Sequence, residues 1–138
     1  FGERLGSVLL SLRASLERDD ETLERALGAW PSSVPLALEL LHPSWHEAQV
    51  RTRADAHGVT LVATDLEGRE EPELHAGGGF AYLRLRRQSY AAADIERWAE
   101  RLEPILAAGT DAYVFFRHDD DGQMALNAEA LLHRLSPQ

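Results

Sequence analysis

Five short apolar runs, each followed by a stretch of helical periodicity, constrain this chain more than any other feature. They are Ser7–Leu12 (SVLLSL), Val34–Leu41 (VPLALELL), Val59–Thr64 (VTLVAT), Phe80–Leu85 (FAYLRL) and Ala112–Phe116 (AYVFF). Rich in Val, Leu and aromatics and bounded by turn residues, they carry the pattern of short buried strands. Their starts fall roughly 20 to 30 residues apart, room for one helix and its turns between parallel neighbours. Strand–helix alternation of this kind builds a parallel sheet with right-handed crossovers.

The intervening segments carry helix signals. Asp19 and Asp20 are placed to cap a helix whose apolar face is Leu23, Ala26, Leu27 and Trp30. Ser44-x-x-Glu47 reads as a capping box opening a second helix that Gly58 ends. The longest helix is predicted over about Ser89 to Ala108, burying Ile95, Trp98, Ala99, Leu102, Ile105 and Leu106, with a bend at Pro104 and a stop at Gly109. The last spans roughly Gly122–Leu135, with Met124, Ala128, Leu131, Leu132 and Leu135 inward. Leu66–Gly79 has no period; acidic and then Gly-rich, it reads as a mobile surface loop.

Two architectures suit such alternation, a doubly wound open sheet and a (β/α)8 barrel of the TIM type. No G-x-G-x-x-G or P-loop follows any strand, and Gly77-Gly78-Gly79 precedes one, the wrong side for cradling phosphate. Polar residues within the strands favour the barrel. Period two puts Leu36, Leu38 and Leu40 on one face and Ala37, Glu39 and Leu41 on the other. It likewise separates Ala81, Leu83 and Leu85 from Phe80, Tyr82, Arg84 and Arg86. The wholly apolar face suits a helix layer; the face with Glu39 or Arg84 suits a barrel interior near its mouth. Five strands are fewer than the eight that close a barrel. The chain opens at Phe1, and its only methionine is Met124. The expectation is therefore an α/β chain, a single domain over 1–138, holding about five C-terminal βα units of an eight-unit barrel and preceded by further sequence. Alone, it should expose sheet edges and self-associate.

Charge narrows the partners. The formal net charge of −9 argues against affinity for nucleic acid, which needs a basic surface. No apolar run approaches the ~20 residues that cross a bilayer, so no membrane span is expected and a cytoplasmic location is the default. Without cysteine there is no disulfide framework and no thiolate chemistry. Asp119-Asp120-Asp121-Gly122 lacks the rest of a calcium loop, and no H-x-x-x-H or comparable spacing supports a metal site. No cofactor is legible.

LGSVLLSL, LALELLHPSW, HGVTLVATD, FAYLRL, the long WAERL helix and AYVFFRHDDDGQMALNA stand in the order and spacing of a known family. The chain resembles the YecE-like proteins (domain of unknown function 72), over the second, larger part of their domain. The most specific piece is Glu39-Leu-Leu-His-Pro-Ser-Trp45, against the family's Glu-Phe-Arg-His-Pro-Ser-Trp. The resemblance implies a TIM-type barrel lacking about three N-terminal βα units. The family pattern is kept at Glu39, His42, Pro43, Ser44, Trp45, Asp65, Tyr82, Arg84, Asp119 and Asn127. It is broken at Ser11-Leu12-Arg13-Ala14 (usually Gln-Leu-Pro-Pro), at Leu41 (arginine), at Leu85-Arg86-Arg87 (Leu-His-Gly) and at Arg117-His118 (Asn-Asn).

Barrel enzymes place their chemistry at the C-terminal strand ends. The charged or hydroxyl-bearing residues there are Ser11, Glu39, His42, Asp65, Arg84, Arg86, Arg117, His118 and Asp119. A carboxylate inside an apolar strand must be paired or protonated, so Glu39 reads as an ion pair with Arg84 or as an acid/base group. In His42-Pro43-Ser44-Trp45, Pro43 holds His42 extended, Ser44 caps and Trp45 packs, which leaves the His42 imidazole either to a structural hydrogen bond or to acid/base work or a ligand. One reading is a metal-independent acid/base enzyme: Glu39 and His42 move protons, Asp65 assists, and Arg84, Arg117, Asp119 and Ser11 hold a small anionic substrate. The other is a non-catalytic relative that binds a ligand or partner.

Overall fold

Alternation along the apolar runs sorts the sheet into two faces, and the helices cover one of them. The computed structural model describes residues 5–136; 1–4 and 137–138, which the single-domain expectation takes in, lie outside the described residues. The strands are β1 (Val8–Leu12), β2 (Leu36–Leu40), β3 (Thr60–Leu61), β4 (Ala63–Asp65), β5 (Phe80–Leu85) and β6 (Asp111–Phe116). The helices are α1 (Asp20–Ala29), α2 (Ala48–Ala56), α3 (Ala92–Ala107) and α4 (Gln123–Leu135), with a single 3-10 turn at Pro43–Trp45. Every strand pair is parallel, in the orders β1-β2-β3 and β4-β5-β6. The mixed α/β class with parallel strands is as expected. No closed barrel is formed among the described residues.

The run expected as one strand over Val59–Thr64 is cut in two at Val62. Its N–H donates to the Leu38 carbonyl (2.9 Å), the last backbone bond toward β2; beyond it β4 pairs only with β5. Side chains replace the missing ladders. At the lower end the Thr60 hydroxyl donates to the Phe80 carbonyl (2.7 Å) and accepts from the Gly78 N–H (3.1 Å). At the upper end His46 Nε2–H donates to the Leu40 carbonyl (2.9 Å) and Arg69 to that of Leu41 (3.3 Å). A cleft of about 980 Å³ lies between the end of β2, α2 and the 66–75 segment.

Leu36, Leu38 and Leu40 pack under α1 and α2 with Leu23, Leu27, Val50 and Ala54. Leu83 and Leu85 pack under α3 and α4 with Ile95, Trp98, Leu102, Met124 and Leu131. On the other, inner face Ala37, Phe80 and Tyr82 gather Leu9, Val62 and Tyr113. The whole surface curls toward this inner side. A Cβ at Gly6, just before β1, would lie 2.8 Å from Tyr113 Oη on β6, the strand at the opposite end of the row.

Several local expectations change. The capping box at Ser44 does not form: α2 begins at Ala48, and the Ser44 hydroxyl instead accepts the Arg18 N–H (2.8 Å). The buried face of α4 is turned from the expected one, with Asn127 buried and Leu132 68% exposed. In α3 the inner face holds at Ile95, Trp98, Ala99 and Leu102, but Leu106 is exposed. The 66–79 segment is tied down. Glu71 accepts from Arg97 (2.8 Å) and Arg101 (3.3 Å) of α3. His75 accepts the Leu61 N–H at Nδ1 (2.9 Å) and donates from Nε2 to Asp55 (2.9 Å).

Candidate functional site

The upper inner face is assembled by register. Parallel pairing aligns Ser11 with Glu39 and Thr64 with Arg84, and Arg84 in turn with Phe115. Side chains of aligned residues share a face, so the ends of all the strand runs deliver groups to one row.

Glu39 is the centre of that row and is 1% exposed. Its Oε2 accepts from Ser11 Oγ (2.5 Å) and from Arg84 Nη1 (2.6 Å); its Oε1 accepts from Thr64 Oγ1 (2.6 Å). A buried carboxylate costs several kcal/mol unless charge and hydrogen bonds compensate it, and here one guanidinium and two hydroxyls do so. The expected Glu39–Arg84 pair is present. It also has a mechanical consequence: Glu39 belongs to the β1-β2-β3 sheet, Thr64 and Arg84 to the other, so the carboxylate bridges the break at Val62. Arg84 spends one nitrogen on Glu39 and keeps 22% of its side chain exposed. Thr64 was not among the residues singled out from sequence. Its signal was there, since period two sets Thr60, Val62 and Thr64 against Val59, Leu61 and Ala63.

The ladder continues past the strand ends. Arg86 N–H donates to the Asp65 carbonyl (3.0 Å) and Arg117 N–H to that of Leu85 (2.9 Å). Alternation therefore puts Arg86 and Arg117 on the inner side, one step above Arg84 and Phe115, with Arg13 in the corresponding place after β1. All three are exposed. In so acidic a chain arginines generally find acids, as Arg84, Arg87, Arg97, Arg101 and Arg134 do. Arg13, Arg86 and Arg117 have no carboxylate within 4.0 Å among the described residues, and neither have Arg25 on α1 and Arg69 in the 66–75 segment; what sets Arg86 and Arg117 apart is that they stand together on the inner side.

Other expected site residues lie elsewhere. Asp65 is fully buried on the helix-facing side, opposite Glu39. It accepts from Arg87 Nε (2.9 Å) and from the Tyr90 hydroxyl (3.0 Å). Burial, with Asp65 alongside, pushes the Tyr90 phenol well above its ordinary value. His42 is extended and caps the 3-10 turn: Nδ1 accepts the Ser44 N–H (3.2 Å) and lies 2.8 Å from the Ser44 hydroxyl. No hydrogen bond joins it to Glu39 among the described residues. Trp45 is buried and donates from Nε1 to the Leu16 carbonyl (2.9 Å). Asp119 accepts the Met124 N–H (3.0 Å) at the start of α4. His118 is 92% exposed beside Asp120. Among the described residues no three His, Asp or Glu side chains converge as metal ligands.

A family model described as "Protein of unknown function DUF72" matches residues 1–138. A DUF72 family protein from Enterococcus faecalis, solved at 2.52 Å, superposes with TM-score 0.83 at 18% identity, covering 99% of this chain and 63% of that one. A DUF72 family protein from Thermotoga maritima gives TM-score 0.65 at 23% identity over 89% of this chain and 54% of that one. The chain thus spans less than two thirds of the length of these structures. No curated protein matches it. No helix among the described residues is long and apolar enough to cross a membrane.

Proposed function

The chain belongs to the DUF72 family, and on that premise we propose that it binds a small, multiply charged anion at the upper inner rim of its sheet. The carrying observation is that Arg86 and Arg117, neither with an acidic partner among the described residues, gather at this rim beside Arg84, which Glu39 holds. Arg86 and Arg117 stand side by side after adjacent strands, Arg84 lies one step below, and Arg13 projects from the far end of the curl. A guanidinium left unpaired in a chain of charge −9 is available for phosphate or carboxylate, which its fork geometry fits in bidentate fashion. Glu39 is the positioning group. It holds Arg84 in one rotamer and fixes the two sheets relative to each other.

The same proposal sees the curled sheet as five strands of a TIM-type barrel. On that count Arg86 and Arg117 follow the seventh and eighth strands, where such barrels frequently hold phosphate. Fold alone does not fix function, so the arginines carry the argument and the barrel only agrees with it. In this arrangement Asp65 and Asp119 serve the architecture and Ser11 lies at the margin of the site.

The test is thermal stabilisation by inorganic pyrophosphate. At a hundred times its dissociation constant a ligand adds about 2.7 kcal/mol, which raises the melting temperature measurably. Arg86→Met and Arg117→Met should each cut that gain while leaving the unliganded protein folded. Equal stabilisation of wild type and both variants would overturn the proposal.

One observation favours a catalytic version of the site. Glu39 already accepts from a rim hydroxyl, that of Ser11, so a water or substrate hydroxyl that reaches it beside Ser11 would meet a carboxylate able to take its proton. In that case Glu39→Gln should abolish turnover of a phosphate-ester panel without abolishing pyrophosphate binding. Unchanged turnover in Glu39→Gln would exclude Glu39 as the base.

A further inference from the structure

We infer that the anion bound at this rim carries a planar ring, and that Phe115 is the platform on which the ring stacks; the inference rests on the anion-binding reading above. Phe115 tops an aromatic column on the inner face. Phe80 meets Tyr113 edge to face (5.6 Å), Tyr113 lies 6.2 Å from Tyr82, and Tyr82 stacks on Phe115 at 5.0 Å with 22° between the planes. The column is dry at its base, where Phe80 is 6% and Tyr82 8% exposed, and open at its top, where Phe115 is 47% exposed. Other large exposed apolar side chains among the described residues lie on helices or turns or, like Leu10 beside Leu38, on the helix side of the sheet.

Tyr82 stacks on the Phe115 ring, and Phe115 is still 47% exposed. Two arginines neighbour Phe115 on the inner side, Arg84 with its guanidinium turned to Glu39. Arg84 is Phe115's neighbour in register on β5, and Arg117 is two residues on along Phe115's own strand, on the same side. An exposed aromatic face costs solvation unless something flat covers it, and offset stacking is the geometry such faces prefer. A ring seated there carries its acidic substituent to Arg117 and Arg86, one strand step above. The ligand class is an aryl or heteroaryl phosphate or polycarboxylate rather than a bare inorganic anion.

Calorimetric titration of the protein with phenyl phosphate and with inorganic phosphate separates the two levels of the claim. Phenyl phosphate should bind roughly tenfold or more tightly, the scale on which aromatic stacking contributes to ligand binding. Phe115→Ala should erase that advantage and leave inorganic phosphate affinity unchanged; Phe115→Trp should keep it. Equal affinities for the two probes in wild type would overturn the ring platform while leaving the anion site standing. Failure of both probes would remove the anion site and the platform with it. If instead light scattering shows that Phe115→Ala converts an oligomer to a monomer, the ring face is covered by a second copy of the chain, and the inference is wrong.

Discussion

Glu39 is one carboxylate doing two jobs, neutralising Arg84 and joining two sheets, and both belong to side-chain chemistry. Removing it strands a half-buried guanidinium and frees two hydroxyls, so Glu39→Ala should destabilise the fold by about 3–5 kcal/mol, measured by urea unfolding. A loss below about 1 kcal/mol would mean that the two sheets do not depend on this bridge. Arg84→Met leaves the carboxylate with only its hydroxyl partners and should cost a similar amount. This part of the site was largely legible. A Glu in an apolar run demands a partner, and period two put Arg84 on the matching face of its own strand. Asp65 faces the helices and not the mouth that the catalytic reading gave it, for a nearby reason. It ends a run in which both parities carry apolar residues, so its side could be read only by following Thr60, Val62 and Thr64 along the opposite face. His42 takes the structural one of its two expected roles, capping the Pro43–Trp45 turn, while α2 starts at Ala48 with no side-chain cap.

At the scale of elements, the segment 66–79 departs most from expectation. Its acidic residues read as solvated, yet Glu71 is held by Arg97 and Arg101 from twenty-six and thirty residues away, a convergence no local pattern reveals. Hydrogen bonding from Arg97 holds the Glu71 carboxyl below its ordinary range, the pull of Arg97 and Arg101 outweighing partial burial. A depressed folded-state pKa adds stability above the unfolded value of about 4.3 and loses it as pH falls through the lower folded value. Glu71→Gln should therefore be less stable than wild type at pH 7, with the gap closing below about pH 4. A gap constant from pH 7 to pH 3 would show that the pairing contributes nothing. The glycine run has a positional reason that charge and motif logic missed. A Cβ at Gly78 would come within 2.7 Å of Thr60 Oγ1 and 3.0 Å of the Gly58 carbonyl, where β3 lacks a backbone ladder to β5. Gly78→Ala should thus cost on the order of 1–3 kcal/mol, as overpacking does, whereas Gly28→Ala, with open space around it, should be neutral or stabilising. Equal effects would remove the close-packing explanation.

For the molecule as a whole, the two sheets follow one another from β1 to β6, with one hydrogen-bonding edge of β1 and one of β6 unpaired among the described residues. Unpaired parallel edges are templates for other strands, so this 138-residue chain expressed alone should self-associate. A monomer by light scattering across a hundredfold range of concentration would contradict that expectation. The strand–helix alternation and the two faces were readable from periodicity because one face of every run had to be apolar. The split at Val62 was not, because it comes from side chains substituting for backbone ladders at both ends of a six-residue run. The anion site lies between these cases. Arg84, Arg86 and Arg117 are legible as strand-end residues, but only coordinates show that Arg86 and Arg117 lack acids and stand together on the inner side.

The central claim is that Arg86 and Arg117 form an anion site above Phe115. The most direct test is a crystal of the protein soaked in selenate and located by anomalous scattering. The account predicts selenium density within bidentate reach of both guanidinium groups on the inner face. Selenium bound only at other arginines, or none at the rim while the Arg86 and Arg117 side chains are ordered and free of lattice contacts, would contradict it.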